Sequence, residues 1–73
     1  MNSKKKYNQV ERKAIGNALV IMRKQMGLTQ VDIVKKLGYS RPTINSIEKG
    51  TANYMFDQLL DYCRLLDLKI TII

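Results

Sequence analysis

Seventy-three residues make one small domain, close to the lower size at which a single apolar core offsets chain entropy without disulfides or metal. Cys63 is the one cysteine and there is no histidine, which excludes an internal disulfide and a Cys/His metal cluster and suits a reducing compartment, the cytoplasm. Thirteen basic residues against six acidic ones give +7, a charge that favours an anionic partner and serves solubility equally well.

The excess is uneven. Residues 1–50 carry eleven Lys/Arg and three Asp/Glu, whereas 51–73 carry two and three. No apolar run approaches the roughly 18 residues that span a bilayer, and Lys4-Lys5-Lys6 is not followed by an uninterrupted apolar stretch, so neither membrane insertion nor secretion is expected.

In chain order, residues 1–8 are polar, hold the lysine run and show no apolar period, and read as a flexible basic tail. From about Gln9 to Met26, apolar Val10, Ala14, Ile15, Ala18, Leu19, Met22 and Met26 recur at three- and four-residue intervals. That spacing predicts a first helix with one buried stripe, closed by Gly27. Thr29 then caps a second helix, with Asp32 three residues on and Ile33, Val34 and Leu37 on its inner face. Gly38 stops it and Tyr39 bridges. Ser40 caps a third helix from Arg41 to Lys49, with Ile44 and Ile47 inward and Pro42 harmless in the first turn. Gly50 ends it. A fourth helix, about Tyr54 to Leu66, is expected to bury Phe56, Leu59, Cys63 and Leu66 and to expose Asp57, Asp61 and Arg64. The last six residues alternate in the strand manner, with Leu68, Ile70 and Ile72 on one face.

The stretch Gln30 to Lys49 resembles the helix-turn-helix of the Cro and lambda-repressor superfamily, the XRE type. Counting Gln30 as the first of twenty positions, Ile33, Leu37, Tyr39, Ile44 and Ile47 fall where that family is apolar, and Gly38 falls on its glycine. Val34 departs from the pattern, standing where the family usually has Ala. Ile15-Gly16, Arg23 and Gly27-Leu28-Thr29 before the motif, and Gly50, Leu59-Leu60 and Leu66 after it, extend the likeness to about three quarters of the chain. The resemblance implies an all-α fold, a small lambda-repressor-like domain of about four helices over 9–67; the alternating residues 68–73 after it depart from the family and are expected to form a dimerisation strand that pairs between subunits.

Such a motif sets the third helix into the major groove of double-stranded DNA while the second crosses the backbone. The face opposite Ile44 and Ile47 carries Arg41, Pro42, Asn45 and Ser46, with the cap Ser40 beside them. These five are the candidate base-contacting residues: Arg bridges O6 and N7 of guanine, Asn bridges N6 and N7 of adenine, and Pro meets a thymine methyl. Without the resemblance the same four would read as the solvated side of a surface helix. Thr29 and Gln30, at the free N–H groups opening the second helix, are candidate phosphate contacts, and the resemblance adds Thr43 and Lys49. It also implies a partly buried structural ion pair between Arg23 and Glu48. Lys35 and Lys36 read as an ordinary solvated face.

A terminal strand with an open edge is an aggregation hazard, so a second copy is expected to occupy it through Leu68, Ile70, Thr71, Ile72 and Ile73. The resulting homodimer would read an inverted-repeat, palindromic operator with reading helices roughly 34 Å apart. A strand in place of a fifth helix, with Asn17-Ala18, Arg23 and Thr29-Gln30, looks like the HipB-type antitoxin repressors. That likeness implies a cytoplasmic, nucleoid-associated repressor that represses its own operon and partners a kinase-type toxin. The alternative is an antitoxin module whose main task is to bind a HipA-like kinase toxin, with DNA binding secondary. Val20, Ile21 and Val31 are apolar where the family is polar; they mark a partner surface or are ordinary scattered surface residues. An enzyme is not expected. There is no histidine and no glycine-rich phosphate loop, and Asp57 and Asp61 at i,i+4 read as solvated charges, so no cofactor or metal is called for.

Overall fold

The structure is a computed structural model; it describes the backbone of residues 2–51 and 54–69 and the side chains of 8–51 and 54–69. Four helices follow one another along the chain, α1 (Asn2–Gln25), α2 (Gln30–Leu37), α3 (Arg41–Lys49) and α4 (Phe56–Leu65). Among the described residues there is no strand. Helix α1 packs on α3, α2 packs on both α3 and α4, and α3 is therefore held from two sides.

The two central helices are defined by local chemistry at both ends. Thr29 accepts the Asp32 N–H through its hydroxyl at 3.1 Å and returns its own N–H to the Asp32 carboxylate at 2.8 Å, a reciprocal capping box. That hydrogen bond is the first cause of the Asp32 carboxyl's lowered pKa. Ser40 caps α3 by accepting the Thr43 N–H at 3.3 Å, and Pro42 lies in the first turn, where no intrahelical donor is needed. Each helix ends on a glycine whose N–H bonds back to the last turn, Gly38 to Val34 and Gly50 to Ser46, both at 2.8 Å.

Ile33, Ile44 and Ile47 have no exposed surface and meet Leu19, Leu59, Tyr62, Cys63 and Leu66 in one core. Full burial of each large aliphatic side chain is worth about 1.5–3 kcal/mol. Val34, Leu37 and Tyr39 line its edge, so Val34 is accommodated half-buried rather than at the centre. Burial also pushes the Cys63 thiol upward in pKa, as expected of a small packed apolar residue.

Helix α1 differs from its expectation in extent and in facing. It begins at Asn2, so residues 2–8, read as part of a tail, continue the helix. Of the expected stripe only Leu19 is buried and Met22 half-buried; Val10, Ala14, Ile15, Ala18 and Met26 are exposed. The buried face runs instead through Gly16, Leu19 and Arg23, with Arg12 and Val20 at its margins. The reason is that a glycine and an ion pair, neither of them an apolar signal, select the side that faces α3. A Cβ built on Gly16 would stand 2.1 Å from the Glu48 carbonyl oxygen and 2.6 Å from that of Ile47. The helices therefore meet backbone to backbone. Gly50 completes the seam from the other side: its φ is +65° and a Cβ there would lie 2.7 Å from the Arg12 carbonyl carbon.

Helix α4 buries Leu59, Tyr62 and Cys63, and Leu66 just beyond it. Phe56, expected inside, is 63% exposed. It is the first helical residue, one turn before the buried stripe of α4 begins at Leu59. Asp67 takes the left-handed conformation (φ 59°), and its N–H and that of Leu68 bond back to the Arg64 and Cys63 carbonyls at 3.1 and 2.8 Å. This closing turn folds Leu68 onto the core, so Leu68 is half-buried against its own domain rather than in a strand. The remainder of the expected strand, Ile70, Thr71, Ile72 and Ile73, lies outside the described residues.

Candidate nucleic-acid interface

The turn between α2 and α3 is three residues, Gly38 to Ser40, and it leaves the opening of α3 at the surface. Ser40, Arg41 and Pro42 are exposed, Asn45 and Ser46 half-buried. Ile44 and Ile47 hold the opposite face of the same helix in the core, which fixes its rotation. Gln30, Arg41, Pro42 and Asn45 together line an open cleft of about 420 Å³.

Behind this face lies a hydrogen-bonded cluster centred on Glu48. Arg23 donates Nε to Glu48 Oε2 at 2.8 Å and Nη2 to Oε1 at 3.3 Å, while its Nη1 reaches the Leu28 carbonyl at 2.9 Å. Both residues are buried. Tyr62, fully buried on α4, donates its hydroxyl to the same Oε2. Burial, and then this bond, raise the phenol well above its ordinary pKa. Gln30 donates to Oε1 at 3.2 Å. One carboxylate thus ties α1, α2 and α4 to α3, and among the described residues no buried side-chain polar atom is left without a partner.

Gln30 carries the cluster to the surface. Its amide nitrogen also reaches Asn45 Oδ1 at 3.4 Å, and its amide oxygen accepts Arg41 Nε at 3.2 Å. The Gln30 side chain is therefore spoken for, and any phosphate contact from this residue falls to its backbone N–H. At Thr29 the N–H is taken by Asp32, so the free donors of the first turn are the N–H groups of Gln30 and Val31 and the Thr29 hydroxyl. Thr43 is half-buried, with its hydroxyl 2.9 Å from that of Ser40, and Lys49 is exposed at the far end of α3.

Around this site, Tyr39 donates to Asp61, which also accepts Arg64 Nη1 at 3.3 Å. The Arg12 guanidinium stands 5.7 Å from the Tyr54 ring centre. Val20 is half-buried, and Ile21 and Val31 are exposed. No helix among the described residues is long and apolar enough to cross a membrane. Sequence reasoning missed Tyr62, although its spacing with Leu59 and Leu66 puts it on the inner stripe of α4 once a tyrosine is allowed to count as apolar. It also missed the bonds that Gln30 makes, for which no local signal exists.

The family model described as helix-turn-helix matches residues 19–73. Antitoxin HigA1, from two strains of Mycobacterium tuberculosis, is 30% identical over 63 residues, covering 86% of this chain and 42% of each relative. The chain thus spans less than half the length of these curated relatives. No solved structure matches it. With the paired helices, their three-residue turn and the outward opening of α3, the match over most of its length shows that the chain belongs to the XRE-type helix-turn-helix family of DNA-binding regulators.

Proposed function

We propose that this protein is a sequence-specific repressor that acts by occupying an operator in double-stranded DNA, without catalysis. The observation that carries the reading is the exposed opening turn of α3, where Arg41 and Pro42 stand outward with Asn45 one turn on, on a helix whose other face is locked by Ile44 and Ile47. An α-helix presented in this way fits the major groove. Ser40, Arg41, Pro42, Asn45 and Ser46 address base edges; Thr29, Gln30, Thr43 and Lys49 address phosphates and set the register. Arg23 and Glu48 hold α3 at its angle. The protein works in the cytoplasm, as a homodimer on an inverted-repeat operator, and acts on its own operon.

Arg41→Ala weakens binding to the selected operator by about 1–3 kcal/mol and relaxes the choice at one base pair. Lys49→Ala weakens all sequences alike and lowers the salt dependence by about one counterion. Fluorescence anisotropy titrations on operator and random duplexes at several salt concentrations separate the two. Equal losses on both duplexes for Arg41→Ala would remove it from the base-reading set.

A second reading is supported by the name of the relatives, which are antitoxins. In it the main partner is a toxin, for which the HipB-like features of the sequence suggest a kinase of the HipA type, and DNA binding is secondary. The exposed Val10, Ile21 and Val31 supply apolar surface for it. Removal of 68–73 bears on the dimer in either reading. The shortened chain is expected to sediment as a monomer, and a dimer of undiminished stability would move the contact to another surface.

A further inference from the structure

We infer that Glu48, acting through Gln30, turns the donors of Arg41 and Asn45 toward the DNA, so that both of these residues select guanine. This inference rests on the DNA-binding reading above. It starts from what a carboxylate can do. Glu48, paired with the Arg23 guanidinium, offers acceptors alone. Whatever Gln30 turns toward Glu48 Oε1 at 3.2 Å must therefore be its NH2 group. That choice fixes the rest of the chain of bonds. The two hydrogens of the Gln30 amide go to Glu48 Oε1 and, at 3.4 Å, to Asn45, so the Asn45 atom facing it is the oxygen Oδ1. The Gln30 oxygen is left pointing outward, and there it accepts Arg41 Nε at 3.2 Å.

Two consequences reach the DNA. Arg41 has its Nε engaged, and among the described residues nothing binds its Nη1 and Nη2, so it presents the end of its fork, two parallel donors matched to the O6 and N7 acceptors of guanine. Asn45 has its oxygen turned inward to Gln30 and its Nδ2 free among the described residues. Adenine recognition needs both halves of an asparagine amide, the oxygen to accept from N6 and the nitrogen to donate to N7. With the oxygen facing Gln30, the group the amide turns toward the groove is the Nδ2 donor, and the base edge richest in acceptors is again guanine. The adenine pairing expected of Asn45 from its residue type is thus replaced. Gln30 is a positioning residue: it acts through its two neighbours, and its orientation is dictated from the buried side.

The test is selection of bound duplexes from a randomised library by the full chain, with Arg41→Ala and Asn45→Ala assigning each residue to its base-pair step. Guanine is expected at both steps, and changing guanine to adenine at the Asn45 step is expected to weaken binding about tenfold. Gln30→Met, which keeps the bulk and removes the amide, frees Asn45 Oδ1 and is expected to cut that preference to twofold or less, or to turn it toward adenine. Adenine enriched at the Asn45 step by the unaltered chain overturns the inference while leaving the DNA-binding reading intact. So does an unchanged base preference in a folded Gln30→Met protein, checked by its thermal melt. If Gln30→Met does not fold, the base selected by the unaltered chain decides alone. Enrichment of no sequence at all overturns the DNA-binding reading, and this inference with it.

Discussion

Glu48 shows how much a single side chain can organise in a domain this small. Its carboxylate receives Arg23, Gln30 and Tyr62 from three other helices. Buried ion pairs lose hydration and add little net stability, yet leaving one partner behind unpaired is severe, about 3–5 kcal/mol. The Tyr62 hydroxyl offers a way to probe the cluster without uncovering a charge. Its pKa is raised in the folded protein, by burial first and by its bond to Glu48 second. The unfolded chain thus releases this proton at lower pH than the folded one, and the stabilisation is whole below the ordinary phenol value of 10.0 and lost as pH rises past it. Tyr62→Phe is expected to cost about 1.5–3 kcal/mol near neutral pH, the worth of a hydrogen bond to a charged group. Above pH 10 the gap between the two proteins should close by about 1.4 kcal/mol per pH unit, since one proton is at stake. Urea unfolding of both proteins from pH 8 to 11 measures it, and a gap that stays constant would place the Tyr62 proton outside the folding equilibrium.

At the level of helices, Thr29, Gly38, Ser40 and Gly50 announced α2 and α3 because capping is local chemistry, settled within four residues. The inward facing of Ile33, Ile44 and Ile47 was legible for the same reason: a short helix between strong caps has one apolar stripe. Helix α1 was not, since its alanines and aliphatics wrap around much of the cylinder and Gly16 decides which side is used. The expected Phe56 burial failed at a helix start, where periodicity gives no direction. Gly16→Ala tests the seam. Its Cβ would fall 2.1 Å from a backbone oxygen that cannot swing aside, so α1 and α3 must part. We expect a loss of at least 1–3 kcal/mol, the usual range for overpacking, with the melting midpoint falling by several degrees. The control is Asn17→Ala, one position further along α1 on its exposed side, which should be neutral or slightly stabilising.

Across the whole molecule, the parts that hold the fold and the parts proposed to read DNA are distinct sets of atoms. Arg41 and Pro42 stand at the surface with Asn45 half-buried beside them, and α3 is fastened by Ile44, Ile47 and Glu48 on its inner side. The connection between the sets, Gln30, spans elements fifteen and eighteen residues away from it, and no short window of sequence could have disclosed it. The seam at Gly16 and Gly50 adds an asymmetry: α3 is clamped by main chain at its far end and carries its exposed side chains, Arg41 and Pro42, at its near end. That arrangement suits reprogramming. A library varied at 41, 42 and 45 should yield mostly folded proteins, with melting midpoints clustered near that of the parent, and among them new operator preferences. Variation at 16, 48 or 50 should yield mostly unfolded chains and no new preference, which makes this small domain a scaffold whose vocabulary can be changed without rewriting its grammar.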